Sequence, residues 1–325
     1  MKTQAIRIER HGGPEVMRVV EIDVPDPGPD QVRLIQHAAG LNFIDTYYRS
    51  GLYQAPLPHG LGAEGAGEVE SVGSAVKGLK VGDRVAYASG PLGAYAGAYV
   101  VNADAVVKLP PGIGYEQAAA MMLKGLTVQY LLRQTYRLQG HETILFHAAA
   151  GGVGLIACQW AHALGVKLIA TVGSPEKANL AREHGAWATI DYTKEDLVAR
   201  VLELTGGAKV PVVYDSVGKD TWEKSLDCLQ PRSLMVSFGS SSGPVTGVNL
   251  GILAQKGSLY VTRPTLATHL KPRERYEQSA KELFQMVRSG KIKIEVTCRY
   301  RLEEAAKAHE DLAGRRTTGS CVIIP

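Results

Sequence analysis

A chain of 325 residues is longer than one hydrophobic core usually serves, since cores stop growing at roughly 250–300 residues, and two domains are expected. With 45% hydrophobic and 21% charged residues and a net charge of +4, the composition is that of a globular protein; no long Lys/Arg run points to nucleic acid or a membrane surface as the partner. No apolar run reaches the ~20 residues that a membrane-spanning helix needs, and the N-terminus has no apolar signal core, so the expected location is the cytoplasm.

The first third reads as β-rich. Short, partly alternating stretches at residues 5–8, 18–24, 31–37, 64–72, 83–88 and 97–101 are separated by Gly/Pro turns, a pattern that predicts a barrel-like domain. Residues 115–136 form an Ala/Leu/Met-rich stretch without proline and predict one long helix. Strands and helices then alternate: strands at 143–147, 167–172, 210–215 and 234–238, helices at 153–164, 175–184 and 221–229. Alternation of this kind implies parallel βαβ units. A strand at 258–262, helices at 272–289 and 302–313 and a strand at 320–324 close the chain. This tail is too short for a domain of its own and is expected to complete the first one. The cysteines, Cys158, Cys228, Cys298 and Cys321, lie far apart with no CxxC pair, so reduced structural thiols are expected rather than disulfides or a structural zinc site.

The strongest motif is the run from Ile144 to Gly154, in which an apolar strand enters Ala149-Ala150-Gly151-Gly152-Val153-Gly154 and a helix follows. It matches GxGxxG with Ala149 in place of the first glycine. Gly151 lets the backbone approach a pyrophosphate, Gly154 lets the helix pack on the strand, and the helix N-terminus offers N–H groups to phosphate. A tight structural turn is the bland alternative. The next strand decides which dinucleotide. An NAD site places Asp or Glu about 20 residues on, to bond the ribose 2′-hydroxyl. Here the strand tip reads Gly173-Ser174-Pro175-Glu176-Lys177. With no carboxylate at the tip, a 2′-phosphate can be bonded by Ser174 and paired with Lys177, provided that Glu176 points away. NADPH is therefore the expected cofactor.

The stretches Asn42-Phe43-Ile44-Asp45-Thr46-Tyr47, Ser50-Gly51-Leu52-Tyr53, Gly62-Ala63-Glu64-Gly65-Ala66-Gly67 and Val81-Gly82-Asp83-Arg84-Val85 resemble the N-terminal domain of medium-chain dehydrogenases/reductases. Together with residues 147–154, 213–218 and 237–239 they resemble the zeta-crystallin-like NADPH:quinone oxidoreductases, closest to the bacterial members, over essentially the whole chain. The resemblance implies an α/β protein with a GroES-like β-barrel domain, residues 1–125 and 265–325, and a Rossmann doubly wound parallel-sheet domain, residues 126–264, with the nicotinamide in a cleft between them. It also implies a homodimer that pairs through the strand at 258–262. Zinc alcohol dehydrogenases have Gly-His-Glu where this chain has Gly62-Ala63-Glu64, a cysteine where it has the 42–45 stretch, and a cysteine-rich lobe that it lacks; no metal site is expected. Hydride transfer to an electron-poor quinone needs no Lewis acid.

By the same resemblance Asn42, Phe43, Ile44, Asp45, Thr46 and Tyr47 lie beside the nicotinamide and its ribose, although Asn42 and Asp45 also suit a helix start. Tyr130 matches a cofactor contact; its neighbour Lys124 reads equally well as an ion-pair residue. Gly151, Gly152 and Val153 hold the pyrophosphate, Gly173, Ser174 and Lys177 the 2′-phosphate, and Tyr192 the adenine. Ser216, Phe238, Gly239, Ser240 and Ser241 lie at carboxyl ends of later strands. Pro264, Thr265 and Leu266 match a backbone stretch used against the carboxamide, and Arg315, or its neighbour Arg316, an arginine that reaches the cofactor. Tyr47 and Tyr53 are the candidate general acids. His147 reads as a buried histidine satisfied by backbone rather than a base. The expected activity is quinone reduction by NADPH. The alternatives are reduction of α,β-unsaturated carbonyls (enals, enones) and, remotely, a crystallin-like structural or RNA-binding role, for which no basic stripe with aromatics is present.

Overall fold

The computed structural model describes residues 1–325. They form two compact units: residues 1–126, 272–288 and 294–325 in the first, residues 127–271 and 289–293 in the second.

The first unit opens with β1 (Lys2–Ile8), β2 (Arg18–Asp23) and β3 (Gln31–Gly40), followed by helix α1 (Phe43–Ser50). Then come β4 (His59–Gly60), β5 (Glu64–Val72), β6 (Arg84–Ala88), β7 (Ala98–Asn102), β8 (Val106–Lys108) and α2 (Tyr115–Ala119). The order β2-β1-β4 makes a small sheet; a seven-stranded sheet is built on the long β3, which pairs antiparallel with both β5 and β7. The alternating pattern turns Ile8, Leu34, Leu61, Val85, Tyr87 and Tyr95 inward as one apolar core.

Helix α3 (Met122–Tyr130) crosses the boundary between the units. The expected single helix over 115–136 is in fact three pieces: α2, α3 and a π-helical turn at Leu131–Thr135. Helix propensity does not report the cause, which is tertiary. The buried Glu64 carboxylate accepts the Leu123 backbone N–H at 2.7 Å and so caps a new helix start.

In the second unit β9 (Thr143–Phe146), α4 (Gly152–Ala163), β10 (Lys167–Val172), α5 (Pro175–Glu183), β11 (Ala188–Asp191), α6 (Leu197–Leu204) and β12 (Val210–Asp215) alternate. The pattern continues through α7 (Trp222–Asp227), β13 (Leu229–Ser237), α8 (Gly251–Gln255), β14 (Tyr260–Thr262) and α9 (Leu266–His269). All six strands are parallel, in the order β11-β10-β9-β12-β13-β14. The order reverses between β9 and β12, the topological switch point at which doubly wound sheets bind dinucleotides. The chain then returns to the first unit through α10 (Arg273–Arg288), β15 (Val296–Arg301), α11 (Ala305–Ala313) and β16 (Ser320–Ile324).

One expectation is overturned in this return segment. Cys298 and Cys321 face each other on the parallel pair β15 and β16, with Cα atoms 4.6 Å apart, and are joined in a disulfide. The ladder register brings together two cysteines that their sequence spacing separates. Cys158 and Cys228 are free and buried, and burial pushes each thiol up to about 12.

Candidate active site

The turn after β9 carries the glycine-rich run. Gly151 is the N-cap of α4, so the first backbone N–H groups of that helix point out of the turn. A Cβ on Gly154 would lie 2.4 Å from the Ala149 Cα, so only glycine lets α4 lie this close to the turn. Ala148 takes the left-handed conformation, with φ of 53°, the tight turn being made one residue before the position expected from the motif. A helix N-terminus next to a turn kept clear of side chains is a cradle that suits a pyrophosphate.

His147 stands at the mouth of this turn and is satisfied by side-chain hydroxyls rather than by backbone. Its Nδ1 lies 3.0 Å from Thr171 Oγ1 and its Nε2 2.9 Å from Ser225 Oγ. Ser225 gives its own hydrogen to Asp215 Oδ2 at 3.0 Å, so it accepts from an Nε2–H. Burial holds this imidazole below its ordinary range, against the pull of Asp215. Asp215 also accepts the backbone N–H groups of Val217 and Gly218 at 2.7 and 3.0 Å. One buried network thus ties the carboxyl ends of β9, β10 and β12 to the loop that follows Ser216.

At the tip of β10, Ser174 is the N-cap of α5 and accepts the Lys177 backbone N–H at 3.3 Å. Glu176 is exposed, and the nearby Ser174 hydroxyl holds its carboxylate below its ordinary range. Tyr192 is half exposed, with its hydroxyl where a Cβ on Gly173 would come within 2.5 Å. Further along the sheet, a Cβ on Gly239 would meet the Ser216 carbonyl oxygen at 2.6 Å, and Ser241 N–H donates to that same oxygen at 3.1 Å. Arg263, a residue that sequence reasoning passed over, holds this loop: its guanidinium donates to the carbonyls of Ser237 and Gly239 at 3.0 and 2.7 Å and meets Ser240 Oγ at 3.3 Å. The signal was its place directly before Pro264. Thr265 caps α9, and Leu266 is buried. Tyr130 is buried and stacks on His269, with centroids 4.5 Å apart, directly before the π-helical turn.

The first unit gathers the other group of candidates. Asn42 precedes α1; its side-chain Nδ2 donates to Glu64 Oε2 at 2.7 Å, and its backbone N–H donates to Asp45 Oδ2 at 2.9 Å. Asp45 is fully buried and also accepts the Ala63 N–H and the Tyr95 hydroxyl, at 3.1 and 2.9 Å. Its carboxylate is therefore turned inward as the cap of α1, while Phe43, Ile44 and Tyr47 are half-buried and Thr46 is buried. Burial pushes Asp45 up to about 7, against the pull of the Tyr95 and Asn42 donors. Beyond Tyr95 the chain of contacts continues. Arg49 donates to His309 Nδ1 at 3.0 Å, which leaves the hydrogen on Nε2, 3.3 Å from the Tyr95 hydroxyl. Burial, aided by Arg49, pushes His309 down to about 3.

Lys124 is buried and pairs with Glu64 at 3.5 Å, as the ion-pair reading of that residue expected. Tyr47 and Tyr53 lie together, centroids 5.2 Å apart. Arg315 is exposed, and Arg316 is engaged with Asp311 at 2.8 Å. Ala63 contributes only its backbone to the cluster, and no three His, Cys, Asp or Glu side chains are grouped to hold a metal ion.

Two family descriptions match the chain: "Alcohol dehydrogenase GroES-like domain" over residues 28–111 and "Zinc-binding dehydrogenase" over residues 152–285. A quinone oxidoreductase of Pseudomonas aeruginosa is 66% identical over 321 residues, covering 98% of this chain and 99% of that protein. The chain belongs to the quinone oxidoreductase family. Within that family, the crystal structure of the Escherichia coli quinone oxidoreductase complexed with NADPH superposes with a TM-score of 0.98 at 58% identity, covering 99% of this chain and 100% of that one. A 2-haloacrylate reductase of Burkholderia is more distant, 43% identical with 98% of each chain covered.

Proposed function

We propose that this protein is an NADPH-dependent quinone reductase of the cytoplasm, with the second unit serving the nucleotide and the first the acceptor. The carrying observation is the tip of β10, where Gly173, Ser174 and Lys177 stand in place of the carboxylate that an NAD site requires. Identity of 66% to a quinone oxidoreductase supports the acceptor class. The turn at Gly151, Gly152 and Val153 would hold the pyrophosphate, Ser174 and Lys177 the 2′-phosphate, and Tyr192 the adenine. Ser216, the loop of Phe238 to Ser241 and the stretch of Pro264, Thr265 and Leu266 would follow the rest of the nucleotide. Asn42, Tyr47, Tyr130 and Arg315 keep the cofactor roles that the resemblance gives them. The bound cofactor supplies a hydride. The protein orients the partners and needs no Lewis acid, because a quinone is already electron-poor.

The experiment is NADPH oxidation against a panel of quinones and enals, with and without a chelator. Turnover of quinones that is indifferent to the chelator is expected; turnover of enals alone would move the assignment to the second reading. That reading, reduction of α,β-unsaturated acceptors, is favoured by the likeness to the 2-haloacrylate reductase. It requires a proton on carbon, for which Tyr47 and Tyr53 are the candidates. Tyr53→Phe is therefore expected to depress enal reduction and spare quinone reduction; for Tyr47→Phe, which also touches a proposed cofactor contact, the enal rate is expected to fall further than the quinone rate.

We also infer a homodimer formed through β14. This strand pairs with β13 on one side only, and its Tyr260 and Val261 are exposed. An open edge flanked by apolar side chains is a template for a second copy.

A further inference from the structure

We propose that Lys124 is a catalytic residue whose ammonium donates a hydrogen bond to the carbonyl oxygen of the quinone and stabilises the negative charge that develops there. The proposal rests on the quinone reductase reading above.

Lys124 lies in the first turn of α3 and is 5% exposed. An ammonium has three hydrogens to donate. Its one hydrogen-bonding contact is Glu64 Oε2 at 3.5 Å. That carboxylate is already held tightly by others: the Leu123 N–H on Oε1 and the Asn42 amide on Oε2, each at 2.7 Å. The lysine is thus the weakly held member of a tightly built site. A buried cation usually needs both a counter-charge and a full set of acceptors, because each unmade bond costs much of its desolvation. Glu64 supplies the counter-charge; the acceptors are left for a ligand.

The charge balance selects the ligand. Lys124 and Glu64 together are neutral, a poor site for a doubly charged phosphate. They suit an uncharged acceptor that becomes an anion during the reaction. A quinone does this: it gains a hydride to become the hydroquinone monoanion, and one proton from water then completes the hydroquinone. A donor aimed at the oxygen that gains charge acts mainly on the transition state, which is where it raises the rate. Lys124 and the Asn42 amide share Glu64 Oε2, so this donor is fixed beside a residue that the resemblance places at the nicotinamide.

The test compares wild type with Lys124→Met, which keeps the apolar stem, and with Lys124→Arg. Quinone kcat is expected to fall about 100-fold in Lys124→Met. NADPH affinity, read by fluorescence titration, is expected to stay within about twofold, since the contact is to the acceptor, and Lys124→Arg recovers part of the rate. A second readout needs no turnover. With NADP+ bound, 4-nitrophenol serves as a stand-in for the hydroquinone anion, and its absorbance reports ionisation. Wild type should bind the phenolate and lower the apparent pKa of the probe; Lys124→Met should not. An unchanged kcat in Lys124→Met, or an equal loss of NADPH affinity, overturns the proposal. If that variant does not fold, failure of wild type to shift the 4-nitrophenol titration overturns it instead. Wild type that reduces no quinone in the panel removes the functional reading itself, whereas active wild type with equally active variants removes only the role of Lys124.

Discussion

Lys177 sits in the first turn of α5, and the role in cofactor choice proposed for it is separable from any effect on folding. A charge-assisted bond to a partly shielded phosphate is worth about 1.5–3 kcal/mol, so Lys177→Ala should weaken NADPH binding roughly 10- to 100-fold and leave NADH nearly unchanged. Equal losses for the two cofactors, in binding titrations, would make Lys177 a support of the helix. Gly173→Asp should repel NADPH, but its Cβ would come 2.5 Å from the Tyr192 hydroxyl. The ring must swing aside, so the gain for NADH is expected to be smaller than the loss for NADPH. Glu176 adds a competitor, because its carboxylate is held below its ordinary range by the same Ser174 hydroxyl that the phosphate would use. Glu176→Gln should tighten NADPH severalfold and NADH hardly at all, as removal of a nearby anion acts on the 2′-phosphate alone. An equal gain for both cofactors would argue that Glu176 acts elsewhere.

At the scale of elements, α1 and α11 are tied by the buried chain Asp45, Tyr95, His309 and Arg49, and this chain has a pH signature. Asp45 is raised from 3.8 to about 7, so the folded state holds a proton there that the unfolded state has lost, and stability falls as pH rises between those values. His309 is lowered from 6.5 to about 3, so the unfolded state takes up a proton first, and stability rises with pH across that window. The windows overlap between about pH 4 and 6.5, and the two slopes oppose each other. Asp45→Asn should unmask the His309 slope, with stability rising from pH 4 to 6.5; His309→Gln should unmask the opposite slope. Urea unfolding at a series of pH values reads both, and parallel pH profiles for the two variants would sink the idea. The Glu64 cap has a related lesson for the chain that it interrupts. An Ala/Leu/Met-rich run promised one helix from 115 to 136, yet a carboxylate nearly 60 residues away takes the Leu123 N–H and starts a new one.

At the scale of the molecule, the open edge of β14 predicts the assembly. Val261→Lys places a charge on an exposed position of that strand without touching the core. Light scattering at micromolar concentration should give a dimer for wild type and a monomer for the variant, with NADPH affinity kept by both. A wild-type monomer would refute the assembly.

Local chemistry made much of this protein legible from the chain alone. The glycine run after an apolar strand, the alternating βαβ pattern and the lack of a carboxylate at Gly173 and Ser174, where the strand ends, are short-range features, and they led to the doubly wound sheet and to NADPH as the expected cofactor. The Asn42 to Tyr47 and Gly62 to Gly67 stretches carried the family. Pairings across long separations were out of reach of such reasoning. The ladder register of β15 and β16 joined Cys298 to Cys321, residues whose spacing carried no signal. His147 found hydroxyls on β10 and α7 where backbone was expected, and Asp45 turned inward to Tyr95 and Ala63. Periodicity and composition fix which face of an element is buried, but which polar groups meet inside depends on how distant elements pack, and only the tertiary structure decided that.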